Sequence, residues 1–352
     1  MQELRSLHPW ADWLVRLCEL DSSTGFESRL VPVLWERLTQ MGAHLEIQQL
    51  NENQVNIFAQ WGEPGLLFST HLDTVPPFIA PHWDTLAIYG RGACDAKGQI
   101  VAQLAAIQNL LDRGVNNVAW LGLAGEETDS LGAQSALTWS FLAQPWRAII
   151  NGEPTQNRMA TGQRGVYHVA LAVQGKAAHS GTPEKGENAL FPLIDWIQAL
   201  RETQPVHDPL LGPELWNCGH FQAANPANII AGHARSEVWV RTVPQGRIPT
   251  EIKQACPHAG RIDVIQELEP FYFQTRPGFE QAVVPFGSDA PTLAQLAPQA
   301  WVFQLGPGSI EVAHGPDEHL CWSDLHQGIE LLTQLAIQVL AESEICEVSY
   351  AR

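Results

Sequence analysis

The sequence lacks paired cysteines. Its six (Cys18, Cys94, Cys218, Cys256, Cys321 and Cys346) are scattered, with no C-x-x-C pair. That spacing excludes a disulfide-framed small domain and a thiolate zinc site. Positive charge is also scarce: 20 Lys and Arg against 38 Asp and Glu leave a formal net charge of −18. Nucleic acid and anionic membrane surfaces need a basic footprint, so neither is an expected partner. No apolar run approaches the roughly 18 uninterrupted residues of a membrane span. Met1–Trp10 has no basic stretch leading into an apolar core. Neither a span nor a signal peptide is predicted, and a reducing cytoplasm is the expected location. Internal repeats and low-complexity tracts are missing too.

What is present is an ordinary globular composition, with 45% hydrophobic and 16% charged residues over 352 positions. That length suits two domains and a core that needs no disulfide. Trp10, Trp13, Leu14 and Leu17 fall at helical spacing, as do Leu30, Leu34 and Leu38. Leu45–Leu50 and Val55–Ala59 alternate as strands. A regular succession follows: strand Leu66–Thr70, helix Gln99–Leu111, strand Val118–Leu123, helix Ala133–Leu142 and strand Ala148–Ile150. This predicts an α/β domain with a mostly parallel central sheet flanked by helices. After Glu153 the pattern changes. Val166–Val173 reads as an exposed-face strand, Ala189–Leu200 as a helix, Asn228–Ile230 and Glu237–Val243 as strands, and Thr250–Cys256 as a helix. An α+β domain inserted in the larger one is therefore expected. The hinges fall around Gly152–Gly165 and Ile262–Gly278, and the α/β pattern resumes near Glu267. The chain closes with an amphipathic helix, Leu325–Leu340, capped by Ser323.

Five segments carry chemistry. Ser69-Thr70-His71-Leu72-Asp73 follows the end of a buried strand, the edge where open α/β sheets bind ligands. One ring nitrogen of His71 is available to a metal, with Asp73 placed to hold the other N–H and fix the tautomer; a loop histidine with a capping Asp would look the same. Asp95, in Gly90–Gly98, either caps the helix that follows or bridges two cations with its two oxygens. Glu126 and Glu127 lie past another strand end. Adjacent side chains of an extended segment point different ways, so one can ligate while the other takes a proton from water. Glu153 and His314 are further ligand candidates. The Leu305–Ser309 loop, with Gly308, offers backbone donors to a substrate carboxylate. Carboxylates mixed with imidazoles, without thiolates, suit two divalent ions, foremost Zn²⁺, with Co²⁺ or Mn²⁺ as alternatives.

In order and spacing, these motifs resemble those of the dimetal metallopeptidase family of zinc aminoacylases, acetylornithine deacetylase and succinyl-diaminopimelate desuccinylase. The resemblance runs from His71 to Glu318. It implies one metal held by His71, Asp95 and Glu153 and a second held by Asp95, Glu127 and His314. Glu126 would be the general base and Asp73 the partner of His71. It also implies a catalytic domain of residues 1–163 and 267–352 and a lid of residues 164–266 through which a homodimer forms. In that lid, Ala178-His179-Ser180-Gly181 resembles the motif whose histidine steadies the oxyanion. Arg241 resembles the strand arginine that pairs with a substrate carboxylate. Asn228 matches the asparagine of an Asn-x-Ile-Pro turn, though Ala231 replaces the proline, and Phe286–Asp289 follows the substrate loop only loosely. The activity implied is hydrolysis of a small N-acyl amino acid, of the acetylornithine or acetyl-lysine type, in amino-acid biosynthesis. A desuccinylase, for which cations near the motifs are few, and a dipeptidase or carboxypeptidase are the alternatives on the same scaffold. A catalytically silent binding protein is the alternative from another class.

Overall fold

The structure, a computed structural model, describes residues 8–63 and 65–342. The chain opens with helix α1 (Ala11–Cys18), a short 3-10 turn and α2 (Val31–Gln40). Strands β1 (His44–Gln49), β2 (Val55–Trp61) and β3 (Leu66–His71) come next, then two short strands, β4 (His82–Trp83) and β5 (Ala87–Tyr89). Helix α3 (Lys97–Leu111), β6 (Val118–Leu123), α4 (Leu131–Ala136), β7 (Ala148–Asn151) and β8 (Met159–Gln163) complete the first half. The middle holds β9 (Gly165–Gln174), α5 (Leu190–Glu202), the short β10 (His207–Asp208) and β11 (Gly212–Pro213), β12 (Leu215–Gln222), β13 (His233–Thr242), α6 (Ile248–Gln254) and β14 (Gly260–Leu268). The last part runs through β15 (Phe271–Tyr272), β16 (Gln281–Val284), α7 (Ala290–Leu293), β17 (Trp301–Gln304), β18 (His319–Cys321) and α8 (Trp322–Ala341).

These elements form two compact units. Of the described residues, one comprises those up to Thr161 with Phe273–Ala282 and those from Ser288 to Glu342; the other comprises Gly162–Tyr272 with Val283–Gly287. The first unit is built on a six-stranded sheet of order β1-β2-β6-β3-β7-β17. Strands β6, β3, β7 and β17 run parallel, while β1 and β2 add antiparallel at one edge. The sheet is mostly parallel, as the alternation predicts. Strands β3, β6 and β7 are buried along their whole length, as parallel strands covered on both faces must be. Leu66, Phe68, Val118 and Trp120 face a core shared with α1, α3 and α8. Their neighbours Leu67, Ala119 and Leu121 face the other side, with Ala133, Leu142 and Trp146. The second unit has a four-stranded antiparallel sheet of order β12-β13-β9-β14. Its core is closed by Leu193, Trp196 and Leu200 of α5 and Ile248 and Ile252 of α6.

Several local expectations change. The helix expected over Ala133–Leu142 stops at Ala136; Trp139 is extended and a 3-10 turn covers Ser140–Leu142. The indole of Trp139 packs edge-on against Phe58 with centroids 6.0 Å apart, and this tertiary contact turns the chain. Val166–Val173 is not an exposed-face strand but part of β9, paired on both sides, with only His168 and Ala172 half-exposed within it. Asn228–Ile230 forms a turn with a single bridge, Ile229 to His179, because Pro226 starts a turn that Ile229 closes. Ile262–Leu268, read as hinge, lies in edge strand β14. Ser323 does not cap the last helix. Strand β18 runs straight into it, so that Cys321 is the residue at the cap, and the Ser323 hydroxyl reaches only Asp324. The described cysteines Cys18, Cys94, Cys218, Cys256 and Cys321 are all free; Cys346 lies outside the described residues.

Candidate metal centre

Three adjacent parallel strands, β6, β3 and β7, end on the same edge and deliver the acidic segments there. His71 is the last residue of β3 and is buried. Its Nδ1 lies 3.0 Å from the main-chain oxygen of Asp73, and 3.4 Å from that residue's carboxylate. The main-chain oxygen is thus the nearer acceptor, and it leaves Nε2 to face Asp95 Oδ1 at 2.9 Å. The Asp73 carboxylate has another task. It accepts the main-chain N–H groups of Glu126 (3.1 Å) and Glu127 (3.2 Å) and the Thr24 hydroxyl (2.7 Å). One buried acid two residues beyond β3 therefore shapes the loop that presents both glutamates.

Asp95 precedes α3 and is buried. Its second oxygen faces His314 Nε2 at 3.4 Å, and that same nitrogen lies 2.9 Å from Glu127 Oε1. The two oxygens of Asp95 thus look toward different histidines. His71, Asp95 and Glu127 each offer a ligand atom within 4.8 Å of the others. Glu153, two residues beyond β7, is buried and accepts from Asn151 Nδ2 at 3.4 Å. It joins the group electrostatically, although it lies outside that 4.8 Å set.

The electrostatics describe a site short of positive charge. Burial, followed by the charge of Glu153, pushes the Glu126 carboxyl well above the usual range. Burial does the same to Glu153, reinforced by Asp95 and Glu127 against the relief given by His71. Burial also raises Glu127, against its bond from His314. Bonds to Asp95 and Glu127 raise His314 to about 10. His71 is raised well above its ordinary value: burial opposes this, but the bonds to Asp73 and Asp95 outweigh it. Asp95 is held below its ordinary value by those same histidines in spite of burial. Protons on two imidazoles thus stand where the carboxylates call for cations. A hard, borderline donor set of this kind fits a pair of divalent ions, whose binding must displace those protons.

Sequence reasoning missed three contributors. Asp289 is buried; burial raises it to about 7, against the interaction with the Ser130 side chain. Its charge acts on both Glu126 and Glu153. Arg91 and Glu318 form a buried ion pair beside Asp95 and His314. An Asp, an Arg and a Glu in loops carry no periodic signal, and only the fold gives them a role. Gly308, a candidate from the glycine loop, has φ +81, and a Cβ there would meet Cys94 Sγ at 2.6 Å. Its glycine identity follows from close packing.

In the second unit, His179 is exposed and its Nδ1 accepts the Gly181 N–H at 3.0 Å. The neighbouring Ser180 N–H bonds the Asn228 oxygen at 3.0 Å, so those two motifs adjoin. Arg241 lies on β13 with its guanidinium 5.3 Å from the Trp239 ring centroid. Burial, and then the charge of Arg164, lower its proton affinity. The register sets Thr242 opposite Gly165, which brings these two arginines together. Neither has a carboxylate partner among the described residues, and Arg164 Nε is buried without a bond.

A buried imidazole, His71, and an exposed one, His314, with carboxylates at the carboxyl edge of a parallel sheet and one buried acid facing both histidines, define a metallohydrolase of the α/β class. The chain belongs to peptidase family M20/M25/M40, whose model matches residues 67–338. It is 31% identical over 341 residues to a peptidase M20 domain-containing protein of Schizosaccharomyces pombe, covering 92% of this chain and 84% of that one. It is 31% identical over 318 residues to a probable carboxypeptidase of Aspergillus flavus, covering 79% and 76%. Its fold matches the crystal structure of aminopeptidase PepT from Bacillus cereus, with TM-score 0.78 at 18% identity over 95% of this chain and 99% of that one. The protein is a metal-dependent hydrolase of amide or peptide bonds.

Proposed function

We propose that the protein cleaves the amide bond of a short peptide or N-acyl amino acid bearing a free carboxylate, first of all as a carboxypeptidase or dipeptidase. Two divalent ions would be held by His71, Asp95 and Glu153 and by Asp95, Glu127 and His314. The observation that carries this reading is Asp95, a buried acid with one oxygen toward each histidine. Zinc suits the donors best, with cobalt or manganese as substitutes. When bound, the ions supply Lewis-acid polarisation of the scissile carbonyl and acidify a water near neutral pH.

The chain's own residues do the rest. Glu126 takes a proton from the attacking water and returns it to the leaving nitrogen, a task suited to a carboxyl whose proton affinity burial has raised. Asp73 keeps the Glu126 and Glu127 amides in place. His179 steadies the oxyanion, Asn228 and Gly308 line the substrate, and Arg241 receives its carboxylate, joined by Arg164. Two guanidiniums that repel each other and lack an acid partner favour a carboxylate ligand.

The name carried by the Aspergillus relative favours the carboxypeptidase reading over the acetylornithine- or acetyl-lysine-type deacetylase. A panel on zinc- or cobalt-reconstituted protein separates them: N-blocked dipeptides, their C-terminal amides, free dipeptides, acetylornithine and acetyl-lysine. Cleavage of free-carboxylate dipeptides at least about tenfold faster than of their amides is expected. Equal rates would overturn the carboxylate requirement, and a clear preference for acetylornithine would restore the deacetylase reading.

The second unit is proposed to form the homodimer, and the cytoplasm is the proposed location. Phe191 and Ile194 of α5 are 63% and 44% exposed, as a docking surface requires. No described helix is long and apolar enough to cross a membrane.

A further inference from the structure

Glu318 and Arg91 are not among the five candidate ligands, yet they grip the backbone of two of them. Glu318 is fully buried. Its Oε1 accepts the main-chain N–H groups of Gly92 (2.9 Å), Cys94 (3.2 Å) and Asp95 (3.1 Å). Its own main-chain oxygen accepts the Gly90 N–H at 2.9 Å. The loop that presents Asp95 is thus wound around one glutamate. The other carboxylate oxygen, Oε2, accepts from Arg91 Nη1. Arg91, itself buried, then donates from Nη2 to the main-chain oxygen of His314 (3.2 Å) and from Nη1 to that of Gly315 (3.3 Å). One ion pair therefore ties the backbone of Asp95 to the backbone of His314, segments more than two hundred residues apart in the chain.

Two physical facts say what this tie is for. A buried ion pair is a poor stabilising device, because desolvation offsets most of its attraction and an apolar pair of similar volume does as well. Its value here is positional. His314 has φ +64, a left-handed conformation that a residue with a side chain rarely adopts. Such a backbone persists only where the surroundings over-determine it, and the Arg91 bond to the His314 carbonyl is one such constraint. His71 and Glu153, by contrast, are set by the ends of β3 and β7 and owe nothing to this pair.

We propose that Arg91 and Glu318 are a positioning pair that fixes Asp95 against His314 and so selectively maintains the cation site that His314 closes. This rests on the two-cation reading above. Neither residue touches reacting atoms; they act through the ligands they hold. Without them, both sites lose the hold on Asp95, but the site of His71, Asp95 and Glu153 keeps two ligands set by β3 and β7, whereas the site of Asp95, Glu127 and His314 loses the hold on two of its three.

The test is a cobalt titration of the metal-stripped full chain, followed by calorimetry and by the visible absorption of Co²⁺. Wild type is expected to bind two ions per chain. Removing either charge alone leaves the other buried and unpaired, so Glu318→Gln, which keeps the shape of the side chain, is measured beside the apolar double variant Arg91→Met/Glu318→Met, both checked by circular dichroism. In each folded variant the first ion is expected to bind within about threefold of wild type and the second about 10- to 100-fold more weakly, with the absorption of the second ion altered. Two ions bound as in wild type, or both weakened alike, would overturn the proposal. A wild-type chain that takes up fewer than two ions would remove the two-cation reading first, and this inference with it.

Discussion

At the scale of single residues, the centre divides its labour between side chains that face the reaction and side chains that hold others. Glu126 and Glu127 are neighbours, yet only Glu127 bonds His314, which leaves Glu126 free to move a proton. Glu126→Gln is expected to bind both ions with unchanged stoichiometry while kcat falls by about three orders of magnitude or more; near-normal turnover would remove it as the base. Asp73→Asn substitutes an amide that keeps one acceptor oxygen for the two that now take the Glu126 and Glu127 amides. Activity or metal affinity should drop about 10- to 100-fold without loss of the fold. For Arg241, substitution by Ala is expected to raise KM for carboxylate-bearing substrates about tenfold or more and to leave their C-terminal amides unaffected. Equal effects on acid and amide would place Arg241 outside the site.

At the scale of elements, the buried helix α3 and the amphipathic helix α8 support the sheet edge that carries the chemistry. Most of α3 is buried, Lys97 and Gly98 included, as befits a helix covered on nearly every side. Leu332 in α8 is fully buried in the same core. Leu332→Ala is expected to lower unfolding stability by about 2–5 kcal/mol, read from the urea midpoint, with the metal ligands untouched. These helices, the strands β3, β6 and β7, and their succession along the chain were legible from the hydrophobic pattern, because long amphipathic or wholly apolar segments have few other ways to bury themselves. Short elements were not. Strand β18 is three residues long and exists through its pairing with β5. Strand β17 lies against β7 at the sheet edge, and its residues Trp301–Gln304 carry no alternation to announce it.

At the scale of the whole molecule, the acidic centre couples stability to pH and to metal. Glu126, Glu153, His71 and His314 all have proton affinities raised in the folded chain. A raised value means that the folded state binds more protons than the unfolded one, so stability falls as pH rises through that range. Asp95 has the opposite sign, but its window lies below the usual carboxylate range. His8, lowered to about 4 chiefly by burial, also opposes: it costs stability as pH falls from about 6.5 to about 4. Between pH 6.5 and 9, then, the metal-stripped protein should lose thermal stability with rising pH, and saturating Zn²⁺ or Co²⁺ should flatten or reverse that slope, because the ions replace the protons. A metal-stripped protein whose melting temperature stays level or rises across that window would show that the acids do not crowd as described.

The sequence by itself determined the alternation of strand and helix, and with it the mostly parallel sheet. It also placed His71, Glu127 and Glu153 just at or past the ends of apolar strands. Those conclusions rest on local chemistry, namely periodic burial and residue type. Only the tertiary structure decided that Asp95 faces two histidines and that Asp73 spends its carboxylate on two backbone amides. It alone brought Arg91 and Glu318 together under loops remote in the chain. Those relations depend on which strand lies beside which and on how loops cross the sheet edge, and no segment carries that information alone.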